Sequence, residues 1–116
     1  MLDDVTSVAL HTALSALNLR QRVIADNIAN IETPNFHARK VSFEKALGAA
    51  VANGGNPADV VPSIGHSLEP TRLDGNNVNL DEETISSIDT GLRYQLALNA
   101  MNGKFGLLST VIKGAA

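Results

Sequence analysis

Residues 10–31 read LHTALSALNLRQRVIADNIANI. Leu10, Leu14, Leu17, Gln21, Ile24, Ile28 and Ile31 recur at alternating intervals of four and three. On an α-helix these positions form one seam, and large aliphatic residues at all but Gln21 make it coiled-coil grade. Ala9, Ala13 and Ala16 flank the seam, and small side chains there let a neighbouring helix approach closely. No Gly or Pro interrupts the chain before Pro34. Asp3-Asp4 places negative charge where a helix start favours it. The pattern predicts a helix from about Asp4 to Ile31, roughly 40 Å long at 1.5 Å per residue. Thr33-Pro34 ends it, because the residue before a proline is pushed out of the helical region.

The far end of the chain has a second seam. Tyr94, Leu98, Met101, Phe105, Leu108 and Ile112 keep the four-three rhythm. Ile85, Ile88 and Leu92 precede them on a slightly rotated stripe. Two stripes on one helix predict two contact surfaces, as in a multi-helix tube. Asn79 can cap the start, with Glu82 three residues on. Asp81, Glu82 and Glu83 suit the positive end of the helix dipole, and Lys113-Gly114 closes the element. Where a solvated coiled coil carries charge, Asn99, Asn102, Gly103, Gly106, Ser109 and Thr110 are small, polar or neutral. Such a surface fits a helix surrounded by protein on most sides.

Between the seams the periodicity is lost. Ser42 is placed to cap a short helix, Phe43 to Ala52, ended by Asn53-Gly54-Gly55. Pro57, Pro62 and Pro70 then mark residues 53–72 as an extended connector, and Asp74-Gly75 as a turn. The expected fold is mostly α: two long terminal helices in a coiled-coil-like pair, joined by an irregular, partly extended middle. Its parts are residues 1–34, 35–78 and 79–116.

Charge and composition narrow the function. Nine basic residues against twelve acidic ones give a formal charge of −3 over 116 residues, with no basic run beyond Arg39-Lys40. That excludes a nucleic-acid footprint. No stretch approaches the roughly 18 apolar residues of a membrane span. The acidic N-terminus has no basic segment followed by an apolar run, so no cleaved secretory signal is expected. Cysteine is absent, which removes disulfides and thiol chemistry. Three Phe and one Tyr are the only aromatics, modest means for a chain of this length to fold alone. His11, His37 and His66 fall in three separate regions and do not suggest a metal site. The paired carboxylates sit at helix starts, and no nucleotide-binding or hydrolase motif occurs. No enzyme, cofactor or metal is expected.

The exit from the first helix, Asn27-Ile28-Ala29-Asn30-Ile31-Glu32-Thr33-Pro34-Asn35-Phe36, is a helix stop with polar side chains able to bond backbone. Asn35 tolerates the left-handed conformation, and Phe36 offers an apolar anchor after the turn. This segment resembles the N-terminal signature of the flagellar axial proteins of rod and hook, N-[IL]-A-N-x-x-T-x-G-[YF]. Asn27, Ile28, Ala29, Asn30, Thr33 and Phe36 match it, and Asn35 stands where that family usually has Gly. Further blocks resemble the short rod proteins of the family: Ala16-Leu17 with Arg20-Gln21-Arg22, Ala38 to Leu47, Asp74 to Glu83, and Tyr94-Gln95. Thr84 replaces a frequent Met. The resemblance spans nearly all the chain except residues 48–70.

It implies a structural subunit of the proximal flagellar rod, the shaft from membrane ring and export gate to distal rod and hook. Implied partners are further copies, other rod proteins, membrane-ring and rod-adaptor proteins at the rod base, and the flagellar type III export apparatus. The implied location is the periplasmic rod of the basal body, reached without a cleaved signal. Alternatives are another short rod protein or a soluble helical adaptor of the export system. The expected assembly surface has three parts. They are the first seam (Leu10, Leu14, Leu17, Ile24, Ile28), the exit (Asn27, Asn30, Thr33, Pro34, Phe36) and the last seam (Tyr94, Leu98, Met101, Phe105, Leu108, Ile112).

Overall fold

The computed structural model describes residues 4–115, with side chains described for residues 4–103. The chain is mostly helical. Helix α1 spans Val5–Ala29, strand β1 Arg39–Ser42, helix α2 Glu44–Ala52, strand β2 Ser63–His66 and helix α3 Leu80–Ala115, with a 3-10 turn at Pro57–Asp59.

Helix α1 begins where Asp4 Oδ1 accepts the Ser7 amide at 2.8 Å, an N-cap. It ends at Ala29, two residues short of Ile31, because Asn30 leaves helical geometry and its amide turns back to Asp26 and Asn27. Helix α3 runs antiparallel to α1. As α1 advances through Leu17, Gln21 and Asn27, its partners on α3 retreat through Tyr94, Ser87 and Glu83. The start of α3 is capped by Asn79 Oδ1, which accepts the amides of Asp81 and Glu82 at 3.1 and 3.2 Å.

The apolar core is small. Ala16, Leu17 and Phe43 form its buried centre, with Ala13, Leu47 and Tyr94 packed against them. It sits where α2 lies on α1 and α3, so the middle of the chain supplies part of the core. The molecule measures 67 × 27 × 14 Å, the proportions of a helix pair.

The two stripes of α3 point in very different directions. Glu83, Thr90 and Met101 are buried and Ser87, Tyr94 and Leu98 half-buried, so a face beginning with polar residues meets α1. Ile85, Ile88 and Leu92 are exposed. At 3.6 residues per turn they lie about half a turn away, which corrects the slight rotation expected between the stripes. Phe105, Leu108 and Ile112 lie outside the residues whose side chains are described.

The middle segment also departs from an extended connector. β1 and β2 pair antiparallel, Arg39 opposite His66 and Val41 opposite Ile64. Every residue of β2 is exposed, so it lacks the alternation that marks a half-buried strand. Ser42 belongs to β1 and does not cap α2, whose N-cap position is Phe43 with no side-chain bond. The 3-10 turn is tied to α1 by Thr12 Oγ1, which donates to the Pro57 carbonyl at 3.2 Å.

Candidate functional site

The exit of α1 and the Asp74–Glu83 segment, far apart in sequence, meet at one end of the helix pair. Asn27 lies at the centre and is 0% exposed. Its Nδ2 donates to the Arg39 carbonyl at 2.8 Å, and its Oδ1 accepts the Arg39 amide at 3.0 Å. One side-chain amide thus pairs with β1 as a neighbouring strand would. The same Nδ2 donates to Glu83 Oε1 at 3.2 Å, which joins α1, β1 and α3 at a single residue.

After Ala29 the chain makes a tight exit. Asn30 Nδ2 donates to the Asp26 carbonyl at 2.8 Å, and its Oδ1 accepts the Thr33 hydroxyl at 3.0 Å. Asn35 takes the left-handed conformation at φ 62°, and its amide donates to the Asp74 carbonyl at 2.9 Å. Asn is, after Gly, the residue that most readily takes this conformation.

Asn76 and Asn77 close the exit from outside. Asn76 Nδ2 donates to the carbonyls of Asn30 and Thr33, both at 2.8 Å, and its Oδ1 accepts the Val78 amide at 2.7 Å. Each of these carbonyls also accepts a local backbone amide, from Thr33 at 3.0 Å and Phe36 at 3.3 Å, so Asn76 adds a second bond to both. Asn77 Oδ1 accepts the Ala38 amide at 2.7 Å, while its Nδ2 donates to Ser67 and Glu69. Arg72 bridges the same region, donating to the Ile31 and Val78 carbonyls.

Electrostatics pull two carboxyls in opposite directions. Arg20 grips Glu44 with two bonds of 2.6 Å, also donates to the Val41 carbonyl, and stacks over the Phe43 ring at 5.0 Å. That grip lowers the Glu44 pKa to about 2 and raises that of Arg20, and the same contacts fasten α2 to α1. Glu83 shifts upward. Its burial outweighs the Asn27 hydrogen bond and the nearby charge of Lys40.

Of the residues expected at the assembly surface, Leu17, Ile24, Asn27 and Met101 are buried in this chain. Leu10, Leu14, Ile28, Asn30, Phe36, Tyr94 and Leu98 are half-buried, and Thr33 and Pro34 exposed. Asn27, Asn30 and Thr33 converge on the exit, whereas the seam residues spread along both helices. Asn76, Asn77 and Arg72 carry much of this junction, and Arg20 the contact with α2, without having been expected as site residues. The signals were the resemblance of the Asp74–Glu83 and Arg20–Arg22 stretches to rod proteins and the density of Asn in the Asp74–Asn79 run. Glu83, expected to serve the helix dipole, is instead buried against Asn27. His37 and His66, far apart along the sequence, meet edge to face with ring centres 6.4 Å apart. Among the described residues no group of three or more His, Asp or Glu is placed to hold a metal ion, and no helix is long and apolar enough to cross a membrane.

Comparison with known proteins matches this same exit. Residues 9–37 fit the family described as flagella basal body rod protein. The chain is 36% identical to the flagellar basal body rod protein FlgB of Bacillus subtilis, over 90% of this chain and 91% of that one. It belongs to the FlgB family of flagellar basal body rod proteins. FlgB of Borrelia hermsii is likewise 36% identical, over 89% of this chain and 92% of its own. FlgB of Escherichia coli is 33% identical, over 96% and 98%. As a FlgB-family member the chain is a structural component of the flagellar basal body rod and not an enzyme.

Proposed function

We propose that this chain is a subunit of the proximal rod, the part of the drive shaft that joins the membrane ring and export gate to the distal rod and hook. The observation that carries this reading is the exposure of Ile85, Ile88, Leu92 and Leu96, a continuous aliphatic stripe on a helix whose inward face begins with polar residues. A chain that turns its aliphatic residues outward has its burial completed by neighbours. In the rod, many such contacts in parallel carry torque without any chemical step.

Under this proposal residues 1–34 and 79–116 are the packing elements, and residues 35–78 brace the pair and adjust to neighbours. The proposed contact residues are the outward stripe Ile85, Ile88, Leu92 and Leu96 with the accessible members of the two seams and the exit, between Leu10 and Phe36 and between Tyr94 and Ile112. Leu17, Ile24, Asn27 and Met101 are buried within the chain. The partners are further copies, other rod proteins, the ring and adaptor proteins at the rod base and, during delivery, the type III export apparatus. The location is the periplasmic rod.

Electron cryotomography of basal bodies in a deletion strain tests the role, with the wild-type gene and a Leu98→Asp variant as complements. Membrane rings without rod or hook are expected in the deletion and in the Leu98→Asp strain. Intact rods and hooks in the deletion strain overturn the proposal.

A further inference from the structure

We propose that the outward stripe of α3 seats in the groove between α1 and α2 of a second copy of this chain, so that copies join head to tail. The inference rests on the rod-subunit reading and names the contact that builds it.

The stripe is Ile85, Ile88, Leu92 and Leu96, with exposures of 68, 62, 62 and 69%. Spacings of three and four keep it on one side of α3. It is opposite the face that already packs on α1, so closing the helix pair leaves it uncovered.

The groove is a separate surface. Val5, Leu10 and Ala13 of α1 form one wall and Leu47 and Val51 of α2 the other, Arg93 and Ala97 on another side of α3 also line it, and the space between is about 610 Å³. Its lining is overwhelmingly apolar. The dimensions agree: from Ile85 to Leu96 the stripe runs roughly 16 Å, and from Val5 to Leu17 the α1 wall runs roughly 18 Å, at 1.5 Å per residue.

Charge is arranged to fit. Asp81 and Glu82 border the N-terminal end of the stripe, both exposed and without an ion-pair partner among the described residues. Lys45, on α2 beside the groove residue Glu44, is exposed and equally unpaired. Opposite signs at the two surfaces favour groove-to-stripe contact over stripe-to-stripe contact, which brings acid against acid. Because stripe and groove are different surfaces of one chain, the contact is heterologous. Each copy that is engaged still offers its other surface, so the contact propagates.

The natural absence of cysteine makes the test clean. Leu92→Cys and Val51→Cys, each at an exposed helical position, are produced together as full chains, with Ser63→Cys on β2 as the control. Mild oxidation is applied to isolated basal bodies and to the concentrated purified mixture, since a disulfide forms only where Cβ atoms come within about 4 Å. The expected product is the Leu92→Cys chain linked to the Val51→Cys chain, at least tenfold over any link to Ser63→Cys. A dominant Leu92→Cys homodimer means symmetric pairing and overturns the proposal. So does the absence of the mixed product from both preparations. If the variants enter rods of motile cells without the mixed link, this contact fails while the rod reading stands. If the wild-type chain never fractionates with basal bodies, the rod reading fails, and the purified mixture still decides the contact.

Discussion

Asn27 shows how much one neutral side chain can organise. Its amide supplies a donor and an acceptor to the backbone of β1 and a further donor to Glu83. Removing it strands the Arg39 amide and carbonyl on β1 and the Glu83 carboxyl on α3. Asn27→Ala is expected to cost about 1–3 kcal/mol, the range for buried polar groups left unpaired. Asn30→Ala, at a half-exposed position where water can replace the amide, should cost less. Urea unfolding of the two variants checks the order, and equal costs would contradict it. Glu83 makes a pH-dependent prediction. Its folded pKa lies above the ordinary 4.5, so its contribution is full below that value and is lost as pH rises through the raised one. Glu83→Gln keeps an acceptor for Asn27 and removes the buried charge. Its melting temperature should exceed wild type at pH 7, with the gain vanishing by pH 4; a loss at pH 7, or an equal gain at both, refutes it. Glu44 has the reverse sign: its pairing with Arg20 supports the fold above pH 4.5 and is lost as pH falls through about 2. Asn27, Asn30, Thr33 and Asn35 were readable because they form a contiguous motif. Asn76 and Asn77 were visible as residues, but their partners lie up to 46 positions away, and local spacing carries no such information.

At the level of elements, two glycines separate a free position from a constrained one. A Cβ on Gly48, within α2, would meet nothing within 4 Å. A Cβ on Gly75 would fall 2.3 Å from Asn35 Oδ1, and the backbone there has φ +82°. Gly48→Ala is therefore expected to stabilise by about 0.5–1 kcal/mol through helix propensity. Gly75→Ala should destabilise by more than about 1 kcal/mol, since both conformation and space oppose it. Opposite shifts of the urea midpoint are the expected outcome, and shifts of the same sign count against it. Both long helices were legible because little besides a helix produces a four-three rhythm sustained over several turns. The strand pair was not, because β1 and β2 have four residues each and β2 is exposed throughout. The rotation of α3 was hidden by a different cause. Its first turns carry their large aliphatics on the outer side, and a hydrophobic pattern marks where burial will occur without saying in which molecule.

The whole molecule is polarised. One end of the helix pair is bound by asparagine amides and backbone, and the core of Ala16, Leu17 and Phe43 lies further along. Because α1 and α3 are antiparallel, the start of α1 and the end of α3 lie at the end remote from the exit junction. The proposed head-to-tail contact would extend this polarity from one copy to the next. The junction also has a temporal side. The carbonyls of Asn30 and Thr33 accept from Asn76, and Asn27 is joined to Glu83, 56 positions further on. A chain that emerges N-terminus first can form α1 and the local bonds of its stop, from the Thr33 amide to the Asn30 carbonyl and from the Phe36 amide to the Thr33 carbonyl, but gains the bonds to Asn76 and Glu83 only once those residues have followed. Contacts so distant along the chain form late, since the intervening loop must close before any of them is gained. Order of arrival therefore bears on folding here, because the junction is completed only after the Asp74–Glu83 segment has followed.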